Sequence, residues 1–192
     1  MLDSVADFGL GETIRGKNDD GDNINTALEG REYTFPVTDA VAAASGMSNR
    51  VVGRRVVARI MRNSHSAALN AGEIVAVDVA NGHAGLGTAT ALSSANDRYA
   101  LVVDPALGDS TVAVGDLFYA IVKGPTKVKQ PSSPVTLAAG ALIKAGASGR
   151  LAAGAISTDG GRLLGTVVKA NNVANALVEV ELAPDAVYDS SS

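Results

Sequence analysis

The sequence predicts an all-β fold: a small antiparallel β-barrel or sandwich that carries an extended N-terminal arm and one short helix. Three observations point there. From Arg54 onward, short apolar runs of period two alternate with clusters of Gly, Asn, Asp, Ser and Pro. No apolar period of helical length interrupts them. The hydrophobic share, 46% of 192 residues, is mostly Ala and Val, with only 4% aromatic residues. Small and β-branched side chains suit thin, closely packed sheets. A chain of this length can bury one modest core plus an arm, or two small cores.

Residues 1–34 come first and read as the arm. They contain the polar stretch from Gly16 to Asn25, keep no period, and through residue 32 set eight acidic side chains against three basic ones. Thr38 and Asp39 can cap an Ala-rich helix over 40–45, closed by Gly46. So short a helix cannot stand alone. The β-domain is assigned to 35–184 and a flexible, serine-ended tail to 185–192.

Strands are expected at 54–62, 73–79, 86–92, 98–103, 117–123, 126–130, 141–145, 163–169 and 176–182. The last alternates most cleanly, with Ala176, Val178, Val180 and Leu182 on one face and Glu179 and Glu181 on the other. Turn chemistry separates the runs at Asn81-Gly82, Ser93 to Asp97, Pro105 to Asp109, Lys123-Gly124-Pro125, Gly146 to Gly149, Asp159-Gly160-Gly161 and Ala170 to Asn175, and Pro131 to Pro134 breaks the series after Lys129. Gly72, Gly115 and Gly140 each stand just before an apolar run, where glycine permits a positive φ or a bulge as the chain enters a sheet.

Composition narrows the chemistry. With no Cys there is no disulfide framework, thiolate metal site or cysteine nucleophile, and the two histidines, His65 and His83, sit in expected turns without a spaced partner. Asp19, Asp20 and Asp22 lack the Gly and Glu that a calcium loop starting there needs at its sixth and twelfth places. The glycine-rich stretches do not lie between a strand and a helix, and no G-x-S-x-G elbow occurs. No cofactor, no metal and no catalysis are expected. A net charge of −4 and a pI near 5.1 argue against general nucleic-acid binding. No stretch approaches the roughly 18 apolar residues of a membrane span, and residues 1–11 do not read as a secretory signal.

Arg50, Arg54, Arg55, Arg59 and Arg62 form the strongest charge cluster, with no acidic residue between Asp39 and Glu73. On a strand, Arg55, Val57, Arg59 and Met61 share a face. Two readings stand. Either this is a basic stripe whose guanidiniums meet carboxylates on a partner, or it is a solvated strand face paired internally with the acidic arm. Lys127 and Lys129, with Lys123, either extend the stripe or protect an exposed hairpin edge. A nucleic-acid reading lacks interleaved aromatic residues.

Three segments carry a resemblance: VVARIMRNSHSAALNAGEIVAVD from Val56 to Asp78, GDLFYAIVKGPTKVK from Gly115 to Lys129, and LLGTVVKA with ALVEVEL near the end. Together they resemble the tailed-bacteriophage capsid decoration, or cement, proteins. The features are an Arg-bearing strand running into an Arg-Asn-Ser turn, a Gly-acidic start to two strands, a KGP-x-KVK hairpin, and a Leu-Gly-Val strand paired with the final alternating one. The resemblance implies a non-enzymatic virion structural protein on the outer face of an icosahedral head, made in the host cytoplasm. Its implied partners are the major capsid protein and itself, as a homotrimer. The arm would order on contact, and its removal would leave the barrel folded. The other reading is a small binding module, from a head fibre or a carbohydrate-binding surface. The absence of Trp weakens a sugar site.

Overall fold

In the computed structural model, residues 9–39, 46–48, 50–78, 88–91, 100–159 and 163–183 are described. The fold is all-β. Five strands close a ring: β3 (Arg55–Asn63) pairs with β9 (Leu117–Lys129), β9 with β7 (Ala100–Val103), β7 with β5 (Ile74–Val77) and β5 with β6 (Thr88–Ala91), which returns to β3 by a short parallel step. Beyond the ring, β9 continues into a second, antiparallel sheet with β13 (Leu177–Leu182), β12 (Leu163–Lys169), β10 (Leu142–Ala145) and β11 (Leu151–Ala153). On the ring's flanks, β2 (Glu32–Pro36) pairs with β3 and β1 (Thr13–Ile14) with the start of β9, while β4 (Leu69–Asn70) and β8 (Thr111–Val112) form a two-stranded clip.

Strand alternation sends neighbouring residues to two cores. Met61, Val75, Leu101, Val103, Phe118 and Ala120 belong to one. Ala58, Ile60, Ile74, Val102, Tyr119 and Ile121 belong to the other, together with Val128, Ile143, Val178, Val180 and Leu182 of the second sheet. Residues of the second sheet cannot lie inside a five-stranded ring. The second core is therefore the layer between ring and sheet, and the first fills the ring. The ring's filling combines the small side chains of Val75, Val103 and Ala120 with the larger ones of Met61, Leu101 and Phe118.

The shared strand corrects one expectation. The sequence predicts a turn at Lys123-Gly124-Pro125 between strands at 117–123 and 126–130, but β9 passes through it unbroken. Pairing with β3 ends at Lys123 opposite Val57, and pairing with β13 begins at Gly124 opposite Leu182. The chain is re-aimed there and does not reverse. Gly124 has φ +101°, and a Cβ at that position would collide with the Arg55 carbonyl oxygen. The residue types that make turns also make this bend, so local sequence does not distinguish the two.

Other expected strands fall where strands form: 54–62 as β3, 73–79 as β5, 86–92 as β6, 98–103 as β7, 141–145 as β10, 163–169 as β12 and 176–182 as β13. Gly72, Gly115 and Gly140 enter their strands at φ +73°, +89° and +85°. The stretch read as an arm is attached along its described length. It supplies β1 and most of β2, and Leu10, Ile14 and Leu28 pack on the layer between the sheets. The expected helix at 40–45, Asn81-Gly82, Ser93 to Asp97, His83 and the tail lie outside the described residues.

Candidate partner-facing surface

The structure does not keep the arginine stripe together. Arg62 lies near the end of β3 on the face opposite Arg59 and is only 4% exposed. Its five N–H groups are all used. Nε donates to Glu29 at 2.8 Å. One Nη1 hydrogen goes to the Gly16 carbonyl and the other to the Gly115 carbonyl at 2.7 Å. Nη2 donates to the Ile24 carbonyl at 2.8 Å and to Glu29 at 2.5 Å. Position 16 must be glycine for this approach, since a Cβ there would run into the Gly115 carbonyl oxygen and Arg62 itself. Gly16 and Ile24 are the two feet of a hairpin that closes at Lys17 and Asn23, where Asn18 Oδ1 accepts the Asp22 N–H at 2.7 Å. Arg62 therefore fastens residues 16–29 to the ring as a strap.

Two carboxylates at the ends of ring strands hold the N-terminal stretch at Gly11 and Gly16. Asp104, 1% exposed, accepts the Gly11 N–H at 2.6 Å and the Ala106 N–H at 3.0 Å. Burial raises its pKa, against the lowering effect of those two bonds and of the Arg50 charge. Asp116 Oδ1 accepts the Gly16 N–H at 3.1 Å. Asp104 also caps the local turn at Pro105–Leu107, but the bonds of both carboxylates to the N-terminal stretch carry no sequence signal, because they act on backbone about a hundred residues away.

Three more arginines are engaged within the chain. Arg59 meets Glu32, its cross-strand neighbour on β2, at 2.5 Å. Arg54 meets Glu181 of β13 at 2.5 Å. Arg50 is buried, with Nε 3.4 Å from the Pro125 carbonyl, and burial lowers its pKa while the Asp104 carboxylate opposes that shift. The alternative of internal pairing with the acidic arm thus accounts for Arg59 and Arg62. Arg55 is exposed and has no acidic partner among the described residues.

No hairpin edge exists for Lys127 and Lys129 to protect, because β9 runs on there beside β13. Lys129 is half-buried opposite Leu177. Lys127 lines a cleft of about 250 Å³ with Lys169, Asn171, Leu177 and Glu179. The Glu179 carboxylate accepts the Ser48 N–H at 2.9 Å and its hydroxyl at 2.5 Å. His65 is half-buried in the turn after β3, its N–H donating to Asn63 Oδ1 at 2.9 Å. Asp19, Asp20 and Asp22 are exposed on the strap hairpin, with Asp19 on Arg15. The chemistry this surface offers is ion pairing and backbone hydrogen bonding.

No family model matches the sequence, and no curated protein matches it. Among solved structures the chain is similar to the head fiber gp8.5 N base in bacteriophage phi29. The identity is 16%, the match covers 67% of this chain and 95% of that one, and the TM-score is 0.43.

Proposed function

We propose that the chain is a non-enzymatic virion structural protein: a decoration, or cement, protein that sits on the outer surface of an icosahedral phage head and bridges major capsid subunits. The observation that supports it is where the resembling segments fall. Distant in sequence, they supply β3, β9 and the β12–β13 pair, with β3 and β13 both hydrogen-bonded to β9. The likeness to decoration proteins therefore runs through connected strands of one body, where chance similarity of turns would be scattered.

In this reading the partners are the major capsid protein and further copies of the chain, as a homotrimer, with no cofactor, nucleic acid or membrane. The action is mechanical. Each copy adds a modest contact, many copies act together, and the barrier to head rupture rises without turnover. Arg55 and Lys129, the candidate cations left without an acidic partner among the described residues, are the ones free to meet a shell.

The test mixes purified protein with expanded phage heads that lack it, taken from the particle that encodes it, followed by sedimentation and heating. Saturable co-sedimentation with many copies per head, and a higher rupture temperature, is expected. Protein left in the supernatant, or binding that leaves the rupture temperature unchanged, would overturn the cement role.

A further inference from the structure

Among the described residues the run of paired strands ends at β2, whose outer edge has no neighbour. Register decides which groups that edge presents. The Val37 N–H donates to the Arg54 carbonyl at 2.8 Å and the Ile60 N–H to the Arg31 carbonyl at 2.9 Å. Bonded pairs alternate along an antiparallel ladder, so residues 31, 33, 35 and 37 face β3 while 32, 34 and 36 face out. The open side thus carries the N–H groups of Glu32 and Thr34 and the carbonyls of Glu32, Thr34 and Pro36. Pro36 stands at an outward position, and its missing N–H removes nothing from the ladder.

Side chains at this edge are incompletely covered. Glu32, Thr34 and Pro36 are exposed, and Tyr33 and Phe35 are half-buried. Their rings meet Tyr119 edge-on, at 6.0 Å and 5.1 Å between centroids. The charge along the edge has one sign to spare. Arg59 neutralises Glu32, whereas Arg31, just before β2, and Arg55, opposite Pro36, are exposed and have no acidic partner among the described residues. An unbonded edge flanked at both ends by free guanidiniums is complementary to a strand with a carboxylate near each end.

We infer that the β2 edge is a docking site for an extended acidic segment of a partner protein, which adds to the sheet as a further strand. Backbone bonds at Glu32 and Thr34 fix its register, and its carboxylates pair with Arg31 and Arg55. Those two arginines lie at positions of opposite parity, so carboxylates about five residues apart, on opposite faces of the added strand, match them. The inference stands apart from the cement role, since any partner with such a segment would serve.

The probe is the blocked hexapeptide acetyl-Asp-Thr-Val-Thr-Val-Glu-amide, with acetyl-Lys-Thr-Val-Thr-Val-Lys-amide as its counterpart. Each is titrated into the full chain while backbone amide resonances are followed. The acidic peptide is expected to shift the Glu32 and Thr34 amides, to bind at least about tenfold tighter than the basic one, and to weaken with added salt. Thr34→Pro removes an outward N–H and no β2–β3 bond, so it should abolish the shifts. The double variant R31E/R55E should reverse the peptide preference, and it decides the matter alone if Thr34→Pro disturbs the remaining amide resonances. Absence of shifts at millimolar peptide, equal binding of both peptides, or an unchanged preference in R31E/R55E would overturn the inference.

Discussion

A guanidinium with all five N–H groups engaged inside its own chain has nothing left for a partner, and Arg62 is in that position. Its value is structural and can be measured. Arg62→Ala leaves the Glu29 carboxylate and the carbonyls of Gly16, Ile24 and Gly115 without their donor in a mostly buried place. Breaking a buried pair from one side costs about 3–5 kcal/mol. The Arg59–Glu32 pair has the same short distance but side chains 23% and 45% exposed, and an ion pair open to solvent contributes at most about 1 kcal/mol. Urea denaturation of Arg62→Ala and Arg59→Ala should therefore separate two residues that look alike in sequence. Equal losses would mean that burial does not govern these pairs.

At the scale of elements, the strap is where structure and sequence part most. Its polar, aperiodic composition predicts an arm whose removal leaves the barrel folded. The structure instead has Asp104, Asp116 and Arg62 bonded to residues 11–29, and Leu10, Ile14 and Leu28 of the same N-terminal stretch packed on the layer between the sheets. Deleting residues 1–30 leaves the buried Arg62 with the Gly115 carbonyl as its remaining partner and uncovers the layer between the sheets. The truncated chain is expected to lose at least as much stability as Arg62→Ala, about 3–5 kcal/mol or more, read from its urea midpoint by circular dichroism. An unchanged midpoint would restore the independent arm. β13 was legible because Val178, Val180 and Leu182 alternate with Glu179 and Glu181 and so write a period of two, while β3 and β12 were legible as short β-branched apolar runs between turn residues. β1, β4, β8 and β11 have two or three residues and hold no period, and the proline in β2 reads as a breaker. The stripe was legible as charge but not as a site. Whether an arginine near a strand end points to solvent or into a nest of carbonyls depends on chain that lies 38 to 53 residues away for Arg62.

At the scale of the whole molecule, the decisive feature is that ring and second sheet have β9 in common. Ala58 and Ile121 from the ring and Val128 and Val180 from the second sheet share one core. A further tie is Arg150, in the turn after β10, which reaches Glu73 at the head of β5 at 3.4 Å. Neither sheet can come away without exposing the inner face of the other or breaking the strand they share. The body is therefore expected to unfold in one step despite its two cores. In scanning calorimetry the measured and van't Hoff enthalpies should agree. The far-ultraviolet signal, which follows all strands, should lose structure at the same temperature as the near-ultraviolet tyrosine signal, to which Tyr119 in the layer between the sheets contributes. Two separated transitions would mean that the ring stands without the sheet, and that β9 is a tether between two bodies. One transition would mean that force entering the ring passes along the covalent chain of β9 into the second sheet without meeting a hinge, as the proposed cement role requires.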